Sequence, residues 1–217
     1  MFNRKFIILH LQKKKAMKLV IMTKPTFFVE EDKILASLFE EGMECLHLYK
    51  PDSSPLYSER LLSLLPEEYY RKIVVHNHYY LKNEYDLGGI HIDDPATPLP
   101  DKYKGRFTRT CSTAEELKTA KKKAEYVFLK GVFNSCSGHH AAAFSESELQ
   151  AAARQGLIDK HVYALGGICP DNIKTAKDLG FGGVVACGDL WNKFDIHNEP
   201  DYKELISHFE KLRKAIS

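Results

Sequence analysis

The 217-residue chain is long enough for one sizeable domain with its own core, and its 44% hydrophobic content is that of a globular protein rather than a disordered or membrane one. Its 31 basic and 29 acidic residues give a formal net charge of +2, so neither a nucleic-acid nor a membrane partner is expected. Five scattered cysteines without a Cys-x-x-Cys pair favour reduced thiols and a cytoplasmic location.

Residues 1–16 differ in pattern from the rest of the chain. Their apolar part, 6–9, is too short for a secretory signal or a membrane span, and lysines follow at 13–15. We expect residues 1–16 to be a loose N-terminal extension and residues 17–217 to form a single domain.

Short apolar runs alternate with helical patterns from residue 18 onward. Strands are predicted over 18–23, 45–49, 72–76, 89–92, 107–111, 126–132, 162–165 and 183–187. Helices are predicted over 30–41, 58–65, 79–85, 112–123, 145–155, 170–179 and 202–215. The alternation implies parallel pairing, and eight repeats predict an α/β fold, a (β/α)8 TIM barrel of eight parallel strands near its minimum size. An open doubly wound sheet is the alternative, although no Gly-x-Gly-x-x-Gly follows the first strand.

The last two strands each run into a glycine-containing turn. Gly166 and Gly167 follow the seventh strand, and Cys187 and Gly188 end the eighth. Two consecutive strand-to-helix turns of this kind can present several backbone N–H groups to one phosphate. We therefore predict a phosphate site at Gly166, Gly167, Cys187 and Gly188, with ordinary turn formation as the alternative.

Polar side chains stand at the ends of the other predicted strands, where the active site of a TIM barrel lies. Period-two alternation turns His47 and Tyr49 towards the barrel mouth, because Leu46 and Leu48 would face the helices. Further polar groups occur at 76–78, 91–94, 110–112, 130 and 134–137. Together these strand ends predict a concave polar site for a small molecule.

These motifs resemble the thiamine-phosphate synthase/TenI superfamily over about residues 18–217. The family's Gln-Leu-Arg-x-Lys resembles His-Leu-Tyr-Lys-Pro at 47–51, its Asn-Asp-Arg resembles His-Asn-His at 76–78, and its Gly-Val-His-Leu matches Gly-Ile-His-Ile at 89–92. Its Ser-x-His resembles 110–112, its Pro-Val-Phe-x-Thr-x-Thr-Lys loop resembles 131–138, and its Ile-Gly-Gly-Ile-x-x-x-Asn matches 165–172.

The resemblance implies a transferase that couples hydroxymethylpyrimidine diphosphate with thiazole phosphate, giving thiamin phosphate and diphosphate. The expected partner is thus a small-molecule phosphate substrate. The candidate catalytic residues are Lys50, His47, Asn77 and His78. The candidate substrate-binding residues are Tyr49, His91, Thr110, Lys130, Ser135 and Ser137.

Several charged family positions differ in this chain. The motif Arg is Tyr49, the loop Lys is Gly138, and the two metal-binding Asp positions fall near 80–81 and near 96. Asp93 and Asp94, close to the second position, are the candidate ligands for the Mg²⁺ that the coupling reaction needs. If coupling is lost, no cofactor is expected.

These departures leave other functions open. A TenI-like thiazole tautomerase would need a histidine acid or base and no metal. A synthase-like protein without coupling activity, or a non-catalytic phosphate-metabolite binder, would keep only the phosphate site. A barrel metallohydrolase would use a histidine and carboxylate set drawn from His47, His76, His78, His91 and Asp189. Small barrels often pair, which leaves a homodimer open.

Overall fold

The computed structural model describes residues 16–135, 141–194 and 202–217, and its strands form a closed barrel. The strands are β1 (Lys18–Met22), β2 (Leu46–Leu48), β3 (Ile73–Val75), β4 (Gly89–Ile92), β5 (Phe107–Cys111), β6 (Val127–Lys130), β7 (Val162–Leu165) and β8 (Gly183–Ala186). Each strand pairs in parallel with the next, and β1 also pairs with β8. The predicted TIM barrel is therefore confirmed over the open sheet. The predicted N-terminal extension lies almost wholly outside the described residues.

Helices surround the barrel in the expected alternation. They are α1 (Glu31–Glu40), α2 (Pro55–Leu64), α3 (Leu81–Glu84), α4 (Ala114–Ala120), α5 (Glu146–Arg154), α6 (Pro170–Asp178), α7 (Gly188–Trp191) and α8 (Lys203–Ile216). A 3₁₀ helix covers Glu67–Lys72. Within the described ranges, no helix has the length and apolar character needed to cross a membrane.

Local sequence sets several helix starts. Ser145 caps α5, and its hydroxyl accepts the Glu148 N–H while the Glu148 carboxylate accepts the Ser145 N–H. The α2 helix begins at Pro55, three residues before the predicted start, because the fixed φ of proline suits a first helical turn and its missing N–H is not needed there.

The sixth strand is shorter than predicted, and this shapes the site. It ends at Lys130 because Gly131 adopts φ +83 and directs its N–H to the Leu165 carbonyl at 2.7 Å. Residues after Gly131 therefore leave the sheet and pass over the end of β7.

Strand side chains alternate between two hydrophobic layers. Val20 and Met22 point inward and pack with Phe128 and Val185 in the barrel interior. Ile21 and its equivalents on the other strands point outward and pack against the helices. Inward positions at the carboxyl ends of the strands are thus left to line a mouth.

Candidate active site

A cavity of about 740 Å³ opens at the carboxyl ends of the strands. It brings together most of the side chains and turns predicted for binding. Predicted residues that line it are Tyr49, Asp93, Thr110, Lys130, Ser135, Gly166, Gly167, Cys187 and Gly188. A cleft of this size at the carboxyl face of a barrel suits a small metabolite.

The turn after β7 requires both of its glycines. Gly166 and Gly167 have φ values of +111 and +64, which disfavour other residues. A Cβ atom on Gly167 would lie 2.0 Å from the Asn134 carbonyl oxygen, so the turn and the loop after β6 touch backbone to backbone. The backbone of this turn forms part of the cavity wall.

The turn after β8 lines the same cavity, next to the turn after β7. Gly188 begins α7, and its amide and that of Asp189 lack intrahelical acceptors because they belong to the first turn. A Cβ atom on Gly188 would meet nothing within 4 Å, so the backbone is open to a ligand. Burial raises the pKa of the Cys187 thiol to about 11, so this neighbour is uncharged at neutral pH. The two predicted turns therefore meet at one place.

The opposite wall carries neutral donors and one carboxylate. Tyr49, at the family's Arg position, points into the cavity, and burial followed by the nearby Asp93 charge raises its pKa. Its hydroxyl is therefore a neutral donor where the family has a cation. Asp93 lies alongside with its side chain 43% exposed, and Thr110 and Ser112 add hydroxyls.

Lys130, at the end of β6, is the only Lys or Arg among the described residues that line the cavity. It is exposed, and no ion-pair partner for it occurs in the described part of the chain. Asp189, which also lines the cavity, is hydrogen-bonded to His208 on α8. Positive side-chain charge at the mouth is therefore concentrated at Lys130. Ser137 lies outside the described residues.

Two of the predicted histidines lie beneath the cavity, inside the barrel. His47 and His91 are fully buried. His91 is bonded to the Thr108 and Thr110 hydroxyls at 2.6 and 2.8 Å, and His47 is bonded to His76 at 2.8 Å. Burial holds the pKa values of both His47 and His91 well below 6.5, so both rings are neutral at pH 7.

Lys50 points away from the cavity. It follows Tyr49 directly, so alternation sends its side chain to the outer layer, where it is 1% exposed. Its ammonium lies 2.7 Å from one oxygen of Glu31 and 2.9 Å from the Thr26 carbonyl oxygen. This buried ion pair ties the start of α1 to the end of β2.

The remaining predicted residues form hydrogen bonds with backbone groups of the loops around the mouth. Asn77 accepts the Lys50 N–H through its side-chain oxygen at 3.1 Å. His78, with φ +54, places Nε2 3.0 Å from the Ser53 carbonyl oxygen. Asp94 accepts the Ala96 N–H and does not line the cavity.

The residues of the metallohydrolase alternative are divided among three places. His47, His76 and His91 share the barrel interior, with ring nitrogens within 4.8 Å of one another. His78 bonds to Ser53, and Asp189 bonds to His208. The structure therefore does not assemble the predicted set around one ion.

Several contributing residues were not predicted. His76 Nδ1 lies 2.7 Å from Asp93 Oδ1, and the Tyr126 hydroxyl lies 2.7 Å from His47 Nε2. His76 was a candidate only in the metallohydrolase alternative, and its hydrogen bond to Asp93 was not foreseen. The hydrogen bond between His47 and Tyr126 joins segments far apart in the sequence, and so does the ion pair between Lys50 and Glu31. Neither contact leaves a local signal in the sequence.

Asp93 fits the magnesium implied by the family resemblance. Mg²⁺ is usually held by one or two carboxylates together with substrate phosphates. Asp93 offers a carboxylate to the cavity, and the Thr110 and Ser112 hydroxyls are hard oxygen donors that line the same cavity. Asp94 faces a different turn.

Comparison with known proteins supports the family resemblance and the barrel fold. A solved thiamine phosphate pyrophosphorylase from Bacteroides thetaiotaomicron is 47% identical, with a TM-score of 0.84 over 92% of this chain and 97% of that one. A second solved enzyme of that name, from Pyrococcus furiosus, is 18% identical with a TM-score of 0.71 over 93% of this chain and 96% of that one, a likeness of fold.

Curated relatives carry the same name. A thiamine-phosphate synthase from Lacticaseibacillus paracasei is 27% identical over 143 residues, 62% of this chain. One from Alkaliphilus oremlandii is 24% identical over 138 residues, 61% of this chain. In both cases the match spans 65% of the relative, just under two thirds of its length. No protein-family model matches the chain. The identity and full coverage of the Bacteroides enzyme decide the assignment: the chain belongs to the thiamine phosphate pyrophosphorylase, or thiamine-phosphate synthase, family.

Proposed function

We propose that the protein is a transferase of thiamin biosynthesis that joins hydroxymethylpyrimidine diphosphate to thiazole phosphate, releasing diphosphate. The observation that carries the proposal is the meeting of two glycine turns, at Gly166–Gly167 and at Gly188, in one cavity. Main-chain N–H groups at such turns complement a phosphate without side-chain charge. We assign the phosphate of the thiazole to this place.

The reacting part of the site follows from where the charges lie. Expulsion of diphosphate from the pyrimidine leaves a cation that the thiazole nitrogen captures, and negative charge grows on the leaving group. We assign Lys130 to this leaving group, because fixed charges aimed at developing charge stabilise a transition state. Tyr49 adds a neutral O–H donor.

Charge balance supports a role for a metal ion here. A bound diphosphate carries several negative charges, whereas the cavity offers one lysine and the carboxylates of Asp93 and Asp189. Asp93, with the Thr110 and Ser112 hydroxyls, would hold Mg²⁺ beside the diphosphate. When bound there, Mg²⁺ neutralises charge on the leaving oxygens.

A second candidate is a relative that binds thiazole phosphate without coupling. The replacement of the family Arg by Tyr49 favours this alternative, because loss of one preorganised charge contact costs about 3 kcal/mol in the transition state. A TenI-like tautomerase belongs to the same alternative. For that reaction the described lining of the cavity offers the carboxylates of Asp93 and Asp189, whereas His47 and His91 are buried.

The deciding experiment has two parts. Purified protein is mixed with thiazole phosphate, hydroxymethylpyrimidine diphosphate and Mg²⁺, and thiamin phosphate is followed by chromatography. Binding of thiazole phosphate alone is measured by calorimetry. Product formation supports the transferase, and binding without product supports the second candidate. If neither product nor binding is detected, both candidates are rejected.

Location and assembly belong to the same proposal. The described cysteines 45, 111, 169 and 187 are free thiols, which suits the cytoplasm. Sedimentation analysis would test for the homodimer.

A further inference from the structure

A line of hydrogen bonds runs through the barrel interior to the cavity. The Tyr126 hydroxyl lies 2.7 Å from His47 Nε2, and His47 Nδ1 lies 2.8 Å from His76 Nε2. His76 Nδ1 then lies 2.7 Å from Asp93 Oδ1, at the cavity wall. The line connects strands β6, β2 and β3 with the segment after β4.

The ionised end sets the direction of every bond in the line. A carboxylate only accepts, so His76 donates from Nδ1 to Asp93, and a line whose donors all point towards Asp93 has His76 accept at Nε2. His47 therefore donates from Nδ1 and accepts at Nε2, which leaves Tyr126 as the donor at the far end. Burial holds the pKa of His47 well below 6.5, in agreement with a neutral ring.

The same histidines are not arranged as a metal site. Two nitrogen ligands of one tetrahedral zinc are about 3.3 Å apart, given a bond of about 2.0–2.1 Å. The 2.8 Å between His47 and His76 is a hydrogen bond instead. Both nitrogens of His91 are taken up by Thr108 and Thr110. The line therefore ends in a hydrogen bond to Asp93, and its histidines do not themselves ligate a metal ion.

The two carboxylate oxygens of Asp93 differ in their hydrogen bonds. Oδ1 accepts from His76, whereas no hydrogen bond to Oδ2 occurs in the described part of the chain. The side chain is 43% exposed at the cavity, while His76 behind it is buried. A partner that orients a metal-binding carboxylate commonly raises metal affinity.

We propose that Tyr126, His47 and His76 are positioning residues that hold Asp93 so that its second oxygen takes the divalent cation accompanying the diphosphate. This inference rests on the proposed function, because it needs a diphosphate in the cavity. It gives His47 a role through Asp93 in place of contact with substrate.

The test measures binding of Mg²⁺ to the full-length protein by calorimetry in the presence of inorganic diphosphate, so that no turnover is needed. Asp93→Asn should abolish metal binding. His76→Ala should weaken it by roughly 10- to 100-fold. His76→Asn, whose amide can replace the Nδ1–H donor to Asp93, should recover part of that loss.

A matched pair of tyrosines tests the far end of the line. Tyr126→Phe removes the donor to His47 and should weaken metal binding by roughly 2- to 10-fold, the range for one hydrogen bond. Tyr163→Phe is the control, because Tyr163 stacks on Tyr126 at 4.4 Å and is not bonded to His47 in the described structure. Melting temperatures of both variants are measured alongside.

Three results of these binding measurements would overturn the inference. They are equal affinity in Tyr126→Phe and Tyr163→Phe, no rescue by His76→Asn relative to His76→Ala, and no metal-dependent binding of diphosphate by the wild type. Stoichiometric zinc in the purified protein would also overturn it. If the wild type binds Mg²⁺ and diphosphate through Asp93 but forms no thiamin phosphate, the proposed function fails and the inference stands.

Discussion

Replacing Gly167 with alanine disturbs the contact between the turn after β7 and the loop after β6. The new Cβ would lie 2.0 Å from the Asn134 carbonyl oxygen and 2.7 Å from its carbon, so the loop after β6 must move. The φ of +64 adds about 1–2 kcal/mol for a left-handed alanine, and overpacking adds about 1–3 kcal/mol. We expect a loss of roughly 3 kcal/mol, which lowers Tm by about 6–12 °C in a domain of this size.

Gly188→Ala is the matched control on the neighbouring turn. Its Cβ meets no atom within 4 Å, so Tm should stay within about 2 °C of the wild type. The methyl group does, however, stand where a phosphate would approach the amide. We therefore expect thiazole-phosphate affinity to fall about tenfold, or about 1.4 kcal/mol.

Calorimetry with thiazole phosphate and thermal melting, applied to both variants, separate stability from binding. Gly167→Ala should lose both properties, and Gly188→Ala should lose only binding. Wild-type affinity in Gly188→Ala would refute the assignment of the phosphate to this turn. Wild-type stability in Gly167→Ala would refute the geometry of the contact with Asn134.

Three further predictions concern charge. Lys130→Met should lower kcat/KM about 100-fold, because one preorganised contact to the leaving group is worth about 3 kcal/mol. Lys50→Met should destabilise the protein by about 3–5 kcal/mol, because it leaves Glu31 buried without its partner, and Lys50→Met/Glu31→Leu should recover stability and turnover in melting and rate assays. Burial depresses the pKa values of His47 and His91, so on acidification below pH 6.5 these residues take up protons in the unfolded chain before they do so in the folded one. Their contribution to stability is therefore full above pH 6.5. Below pH 6.5 the free energy of unfolding, measured by urea titration, should fall by about 1.4 kcal/mol per pH unit for each histidine.

Each of these has its own contrary result. Unchanged kinetics in Lys130→Met would remove this lysine from the site. Persistent inactivity of a stable Lys50→Met/Glu31→Leu protein would show that Lys50 takes part in the reaction. In His91→Asn, the change in unfolding free energy with pH below pH 6.5 should be smaller by the contribution of one histidine. An unaltered pH dependence would mean that this ring is not held neutral.

The barrel and the glycine turns could be predicted because their signals are local. Apolar runs alternating with helical patterns specify parallel strands, and the pair Gly166–Gly167, whose φ values are positive, marks a turn that only glycine suits. Strands β7 and β8 pair in parallel, so the turns that follow them lie next to each other.

Side-chain partners could not be predicted in the same way. Alternation alone could have placed Lys50 opposite Tyr49 and so outside the cavity, yet its partner Glu31 lies on another element. His76 and Asp93 are 17 positions apart, and His47 and Tyr126 are 79 apart. Such contacts depend on the closed barrel, so they require the three-dimensional structure.

The most direct test of the account is a crystal of the protein soaked with thiazole phosphate. We predict that the phosphoryl oxygens lie within hydrogen-bonding distance of main-chain amides in the turn after β7 and at Gly188, with the ring facing Tyr49 and Lys130. Ligand bound elsewhere, or a phosphate held only by side chains, would contradict it.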